Sequence, residues 1–563
     1  MIGEISPGLI LIVGALFVPL LKGYARSAFM LLLPVVAFVH LLGLPHGEFG
    51  QAQMLGLDLV TLRVDKLSLL FGYIFLIATF LAVIYSLHLD DAIQHVAALI
   101  YAGSAIGAVF AGDLLTLFIY WEATTIASVL LIWAGRTERA YAAGLRYLVI
   151  QILSGVLLLA GALLMYRQVG SIAFNAMTLG TSATWLIFIA FGIKCAFPLL
   201  HNWLQDSYPE ATVTGTVMLS AFTTKLAVYA LARGFAGTEI LIPIGAAMTA
   251  FPIFYAVIEN DLRRVLSYSL NNQLGFMVVG IGIGTELAIN GTAAHAFCHI
   301  LYKALLFMSM GAILYRVGTV KGSELGGLYK SMPWTATFCI VGAASISAFP
   351  LFSGFVSKSL IMAAAMDEGY FWTWLVLLFA SAGVFHHSGI KIPYFGFFGH
   401  DSGKRCAEAL PNMLIAMGIT AALCVGLGVY PKPLYDILPY AVDFIPYTFE
   451  HVATQLQLLV FSALAFTVLM RTGLYPPELR STNLDFDWFY RRAGYSTAIT
   501  LGRHATAFWQ SLVQGVTIGS YRVLTGLRRH HGLDSALARA WPTGNMAFWV
   551  TLMLAAYLLL SIF

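Results

Sequence analysis

The sequence predicts an all-α polytopic membrane protein, and three observations predict it. Of 563 residues, 59% are hydrophobic and only 10% are charged. The mean hydropathy of +0.82 lies far outside the soluble globular range. Runs of about 20 apolar residues, enough to cross a hydrocarbon core roughly 30 Å thick, recur from one end to the other. Lys and Arg collect in alternate loops, the asymmetry that orients membrane helices. No separate soluble domain fits between the runs, and a net charge of +4 points to no nucleic-acid partner.

Taken in order, the apolar runs give about sixteen spans, near 6–22, 27–44, 66–87, 93–111, 114–134, 142–166, 183–204, 211–234, 239–257, 265–284, 291–315, 333–366, 371–398, 411–430, 452–470 and 545–563. The first has no basic segment before it and no convincing small-residue cleavage site, so it reads as a retained span. Lys22 and Arg26, Arg136 and Arg139, Arg263 and Arg264, Arg316 with Lys321 and Lys330, and Lys404 with Arg405 fall on one side, expected to be cytoplasmic. The opposite loops carry Asp58, Glu286, Asp367, Glu368, Asp443 and Glu450. An even span count then puts both termini outside. Segment 471–544 differs from the rest, with nine arginines, no lysine and a turn at Pro476-Pro477. Its mixture of apolar and basic residues suits an amphipathic helix lying on the membrane surface, and its glycines leave open whether 494–530 is one continuous helix.

Cys195, Cys298, Cys339, Cys406 and Cys424 are scattered with no CxxC pair, which argues against a cluster or zinc site. No cofactor is expected in this chain, and no redox or hydrolytic site is visible. The GIGIG at 280–284 is too short and too deep in a span for a dinucleotide fingerprint.

An ionisable side chain at mid-membrane costs at least about 2.5–3.5 kcal/mol, so each one requires a reason. Lys66, Arg167 and Arg233 lie near helix ends and are expected to snorkel. Glu122, Lys194, Lys225, Lys303 and Lys358 lie deeper. Any one of them alone reads equally well as half of a structural ion pair; as a set, one acid and four lysines in successive spans, they read as a transfer path. His295 and His299 stand four apart with Lys303 four further on, so all three share a helical face. H-x3-H-x3-K lacks the carboxylate or thiolate of a closed metal site and suits a proton relay. One of these histidines serving only as a hydrogen-bond anchor is the plain alternative. His201 and Asp206 read equally as a proton mouth or as solvated helix ends.

The spans at 183–204 and 333–366 each contain a Phe-Pro pair, Phe197-Pro198 and Phe349-Pro350. Proline removes a backbone hydrogen bond, which membrane proteins tolerate where the break lines a buried polar cavity. Lys194 is followed 31 residues later by Lys225, and Lys358 is followed 33 later by Lys391. Paired discontinuous helices in corresponding positions mark two inverted-topology repeats.

The stretches AGDLLTLFIYWEATTIASVLLI, GIKCAFPLLHNWLQDSYPEATVTGTVMLSAFTTKLAVYAL, NDLRRVLSYSLNNQLGFM, HILYKALLFMSMGAILY and SAFPLFSGFVSKSLI resemble the antiporter-like membrane subunits shared by respiratory complex I, membrane-bound hydrogenases and multisubunit Mrp-type cation/proton antiporters. The resemblance covers about residues 60–400. It implies that Glu122 is the acid partner of Lys194, that Lys225 links two half-channels, that Lys303 with His295 and His299 forms the central relay, and that Lys358 faces the exit. One complex I branch has glutamate at that last position. AFTTKLAVYALAR and the downstream DFDWFYRR most resemble the D subunit of Mrp-type antiporters, while the C-terminal extension is a departure.

The expected organisation is N-terminal helices (1–92), a first repeat (93–236), a second repeat (237–400), further helices (401–470), the Arg-rich surface segment (471–544) and a final span (545–563). The expected function is proton translocation in a monovalent cation (Na+)/proton antiporter, in a multi-pass subunit of the cell (inner) membrane with other membrane subunits as partners. The alternative is a proton-pumping membrane-arm subunit of a complex I-like NADH-quinone oxidoreductase or a membrane-bound hydrogenase. A non-transporting scaffold would have no reason to keep the buried lysines, and no substrate-sized polar constellation supports a solute carrier.

Overall fold

The computed structural model describes residues 5–54, 56–479, 483–533, 535 and 542–562. It divides into two units, 1–483 and 484–563. Among the described residues, twelve helices are long and apolar enough to cross a membrane. The other four expected spans also hold helix: Pro7–Ala15, Ser182–Lys194, Leu262–Ile283, and the pair Pro333–Ile346 and Ser353–Asp367. The 32-residue helix Glu286–Val317 and the segment Val213–Gly234 are buried almost throughout, whereas Phe449–Arg471 is mostly exposed. The interior of the first unit is therefore built on the spans that carry Lys225 and Lys303.

The two Phe-Pro breaks are the same piece of backbone used twice. Each reads Ala-Phe-Pro-Leu, with positive φ at Ala196 (62°) and Leu199 (71°) in the first and at Ala348 (55°) and Leu351 (75°) in the second. Phe197 N–H donates to the Gly192 carbonyl five residues back, and Phe349 N–H to Ala344, both at 3.0 Å. This is a Schellman-type end in which alanine occupies the left-handed position that glycine usually takes. Proline then prevents the helix from resuming.

A third break has no proline. The expected span 211–234 is divided at Phe222 into Val213–Ala221 and Thr223–Gly234. Three of its freed groups find partners. The Leu219 carbonyl accepts from the Tyr208 hydroxyl at 2.8 Å, and Thr223 N–H donates to the Tyr101 hydroxyl at 3.0 Å. The Ser220 carbonyl accepts from Lys225 Nζ at 2.6 Å. With no water in the hydrocarbon core, such substitutes are what allow a break at that depth.

One element lies outside the helical expectation. Gly47–Met54 and Leu57–Val64 form an antiparallel hairpin, with Gly47 opposite Val64. Leu57 and Leu59, and then Leu62 and Val64, are buried at every second position, with the buried face changing over between the two pairs, a strand pattern in a stretch read only as a loop. The hairpin docks on the turn between helices Ala92–Val109 and Leu114–Trp133: Arg63 N–H donates to the Phe110 carbonyl at 2.7 Å, and Asp113 Oδ2 accepts from Val60 N–H at 2.9 Å.

The basic loops meet at one end and are tied there by ion pairs. Arg26 pairs with Asp90, Arg139 with Glu210, Arg136 with Asp91 at 2.9 Å and Lys330 with Asp401 at 2.9 Å. Arg233 does not snorkel to solvent as expected. Its side chain is buried and holds both oxygens of Asp65, at 2.7 and 2.8 Å, while its Nε donates to the Tyr229 hydroxyl. Fixed partners next to the span made this the cheaper arrangement.

In the second unit, Tyr495–His531 is one 37-residue helix, about 55 Å long at 1.5 Å per residue. The glycines at 502, 515, 519 and 526 do not interrupt it, and a Cβ at any of them would meet open space. Thr543–Ile562 forms a second helix, uncharged and largely apolar.

Candidate functional site: a row of buried lysines on freed carbonyls

Lys194, Lys225, His295, His299, Lys303 and Lys391 are completely buried, Lys358 is 3% exposed, and Glu122 is half-buried. An ammonium can donate three hydrogen bonds, and the acceptors the fold supplies to these lysines are backbone carbonyls and hydroxyls, several of them at helix ends and breaks.

Lys194 is the last residue before the first break. Its Nζ donates to the Trp121 carbonyl (2.6 Å) and to Thr124 Oγ1 (2.9 Å), and it sits 4.3 Å from the centre of the Trp121 ring. Glu122 is the next residue, so acid and lysine are brought together, although not as a direct ion pair. Among the described residues Glu122 Oε1 accepts no hydrogen bond. It rests in the space over Gly155 of helix Glu138–Val169, where an added Cβ would lie 1.6 Å from that oxygen.

Lys225 closes the third break, as described. Lys358 follows the second break and reaches back across it, donating to the Ile346 carbonyl at 3.2 Å with its Nζ 4.9 Å from the centre of the Phe276 ring. Its neighbour Ser357 faces the histidines: Ser357 Oγ is 3.1 Å from His295 Nδ1. The expected shared face of Glu286–Val317 holds. The His295 and His299 rings stack at 6.1 Å, and the Tyr302 hydroxyl joins His295 Nε2 (3.4 Å) to Gln273 Oε1 (3.2 Å). Neither ring nitrogen of His299 has a hydrogen-bond partner among the described residues.

From Lys303 a continuous hydrogen-bonded chain runs onward. Lys303 Nζ donates to Ser269 Oγ at 2.8 Å, Ser388 Oγ lies 2.7 Å from Ser269 Oγ, and His387 Nδ1 lies 2.9 Å from Ser388 Oγ. His387 is one helical turn before Lys391. Sequence reasoning missed Ser269, His387 and Ser388, although a signal was present: His387-x3-Lys391 repeats the spacing of His299-x3-Lys303. The chain lies where helix Phe371–Val384 passes into π-turns at 385–390 and 394–398, the kind of irregularity that collects at functional sites. Among the described residues no hydrogen bond joins Lys194 to Lys225, or Lys225 to Lys303.

Lys391 lies on the C-terminal end of helix Leu241–Ile258. It donates to the carbonyls of Ala256 (3.2 Å), Val257 (2.6 Å) and Glu259 (2.6 Å), the negative end of that helix dipole. Glu478 Oε1 lies 2.9 Å from the same Nζ. Asp206 is not an open mouth, because Arg146 clamps both of its oxygens at 2.6 and 3.0 Å.

Residues 111–385 match the family described as NADH:quinone oxidoreductase/Mrp antiporter, TM. The chain is 32% identical over 353 residues to the D subunit of the Na(+)/H(+) antiporter of Alkalihalophilus pseudofirmus, an alignment covering 59% of this chain and 71% of that protein. Its fold is similar to a chain of the Mrp complex from Dietzia sp. DQ12-45-1b, with a TM-score of 0.77, 23% identity and 92% of this chain covered. There it spans only 62% of the other chain. It is similar along nearly its whole length to a chain of the archaeal membrane-bound sulfane sulfur reductase, with a TM-score of 0.72, 22% identity, and 98% and 99% of the two chains covered. From the motifs, the buried lysines and these likenesses together, the chain is a multi-pass membrane protein that belongs to the NADH:quinone oxidoreductase/Mrp antiporter transmembrane family.

Proposed function

We propose that this chain is the proton-translocating subunit of a multisubunit Na+/H+ antiporter, assembled with other membrane subunits. The observation that carries the reading is the row of buried lysines, each resting on backbone carbonyls or side-chain hydroxyls, several of them at helix breaks or helix ends. A cation held only by neutral dipoles gives up its proton more readily than one locked to a carboxylate, and nearby hydroxyls and imidazoles offer the next acceptor. In this reading Glu122 and Lys194 load the first repeat (93–236), Lys225 couples it to the second (237–400), and His295, His299, Lys303 and Lys358 form the central relay that continues to Lys391.

The likeness to the D subunit of the Alkalihalophilus antiporter supports antiport. The full-length likeness to a chain of a respiratory reductase favours a second reading, in which redox chemistry in partner subunits powers the same proton path. Gentle extraction of the intact complex from its native membrane, with mass identification of every subunit and a visible spectrum, separates the two. Small membrane subunits without flavin or iron–sulfur absorbance are expected for the antiporter. Redox subunits with cofactor absorbance would overturn it in favour of the pump.

A further inference from the structure

The stretch after helix Phe449–Arg471 is tied into the second half of the path. Tyr475 is 7% exposed, with its ring against those of Phe466 (5.3 Å), His386 (5.5 Å) and Phe395 (6.1 Å). Three residues later, Glu478 enters the buried end of helix Leu241–Ile258 and meets Lys391, with the two side chains 6% and 0% exposed. A further anchor follows: Asn483 Nδ2 donates to Glu259 Oε2 at 3.1 Å, while Glu259 Oε1 accepts the N–H groups of Asn260 and Asp261.

Three carbonyls and the Glu478 carboxylate lie within hydrogen-bond distance of the Lys391 ammonium, four acceptors for three hydrogens, so a small rotation of the ammonium turns an N–H toward Glu478. Among the described residues both Glu478 oxygens are buried without a hydrogen-bond donor of good geometry. A structural carboxylate at such a site would normally collect donors, as Glu259 does beside it. Glu478 instead faces a single lysine at 2.9 Å, with Glu259 and Tyr475 as the other titratable groups around it and His386 behind the Tyr475 ring. Burial lifts its carboxyl above the ordinary carboxylate range, against the pull of the Lys391 charge.

We propose that Glu478 is the proton-exchanging partner of Lys391, a second glutamate–lysine pair in which the acid is supplied by the strap that follows helix Phe449–Arg471 rather than by a membrane helix. The step balances simply. An N–H bond of the Lys391 ammonium breaks and an O–H bond forms on Glu478, leaving a neutral amine and a neutral acid. The acid then releases its proton at the basic-loop end, and the reverse sequence loads the lysine. This deepens the proton-transport reading and rests on it.

The test uses everted vesicles from native-host membranes carrying chromosomal variants, with proton movement followed by a pH-sensitive dye under a Na+ gradient and complex recovery followed in parallel. Glu478→Gln is expected to slow transport about tenfold or more, and to remove the inflection in the pH–rate profile above the usual carboxylate range. Glu478→Asp should restore part of the rate with a shifted inflection. Wild-type rate and profile in the Gln variant would overturn the proposal. So would an equal loss in Asn483→Ala, which loosens the strap and leaves the acid in place. If the Gln variant does not assemble, an unshifted profile in the Asp variant overturns it. Lys194→Ala in the same vesicles separates the two levels: if it is inactive while Glu478→Gln is normal, only this inference falls, and if both are normal the proton-transport reading falls with it.

Discussion

The two Ala-Phe-Pro-Leu breaks share sequence, backbone and hydrogen bonds, yet they place their lysines on opposite sides. Lys194 ends the helix before the first break and turns away from it, toward Trp121 and Thr124 of a neighbouring helix. Lys358 follows the second break and returns to it, onto the Ile346 carbonyl. The second half-helices also differ, six residues in Asn202–Ser207 against fifteen in Ser353–Asp367. The break is therefore a generic device that frees backbone groups in an apolar interior, and the position of the lysine decides what the device does. Lys194 couples to a half-buried acid on another helix, while Lys358 is bound to its own break, beside the histidines.

The largest expected effect breaks the first half of this comparison. Lys194→Ala or Glu122→Ala should lower proton transport by about 10²-fold or more, the scale of losing a positioned proton-transfer group, with normal insertion in the membrane. Vesicle assays with quantified protein levels measure both. Near-normal transport in the two variants would dismiss the relay. Lys358→Ala should cost transport too, and it alone should also loosen the second break, seen as faster limited proteolysis near 347–352.

Gly155 sharpens the same point with a smaller change. Its missing side chain is what seats the Glu122 carboxylate, since a Cβ would lie 1.6 Å from Oε1. Gly155→Ala should reduce transport by about tenfold, equivalent to roughly 1.4 kcal/mol, through displacement of the acid alone. Gly494→Ala on the second unit, where space is open apart from one carbonyl at 3.3 Å, is expected to be silent. Equal activity of the two variants would show that Glu122 needs no fixed seat.

How much of this was legible in the sequence depends on how local each signal is. The apolar runs, the Phe-Pro pairs and the charges stranded among hydrophobic residues are written in short stretches, and the helices, both breaks and the buried lysines lie where those stretches put them. The break at Phe222 was hidden because its cause is tertiary: AFTTK contains no breaker, and only the arrival of the Tyr101 and Tyr208 hydroxyls makes the gap tolerable. Glu478 was hidden for the same reason, a loop acid whose importance comes from a lysine 87 positions earlier in the chain. His387 was readable from its spacing to Lys391, but a doubled histidine near a helix end resembles an interfacial pair. The hairpin at 47–64 was too short to compete with the membrane signal around it.

The second half of the path offers a finer test. Ser269→Ala removes one hydroxyl from the Lys303–Ser269–Ser388–His387 chain and leaves every charge in place. Transport should fall several-fold, in keeping with the loss of one hydrogen bond of typical net worth, about 1 kcal/mol, and Ser388→Ala should add little to it because the chain is already cut. Additive losses measured in the double variant would mean that the two hydroxyls serve separate ends.

The smallest expected effect concerns the alanines that make the two breaks alike. Each holds a left-handed conformation that costs an L-residue about 1–2 kcal/mol, and glycine takes it without that strain. Ala196→Gly and Ala348→Gly should therefore leave transport intact and shift the melting temperature of the purified complex only slightly, upward if strain relief exceeds the greater freedom of the unfolded chain. Valine at either position should destabilise both breaks to a similar degree, because the backbone geometry is shared. Transport should nevertheless respond more to Ala196→Val: Lys194 stands two residues from the strained alanine, whereas Lys358 stands ten away on a separate helix. Equal transport losses at the two sites would mean that the break itself, and not the placement of its lysine, governs proton movement.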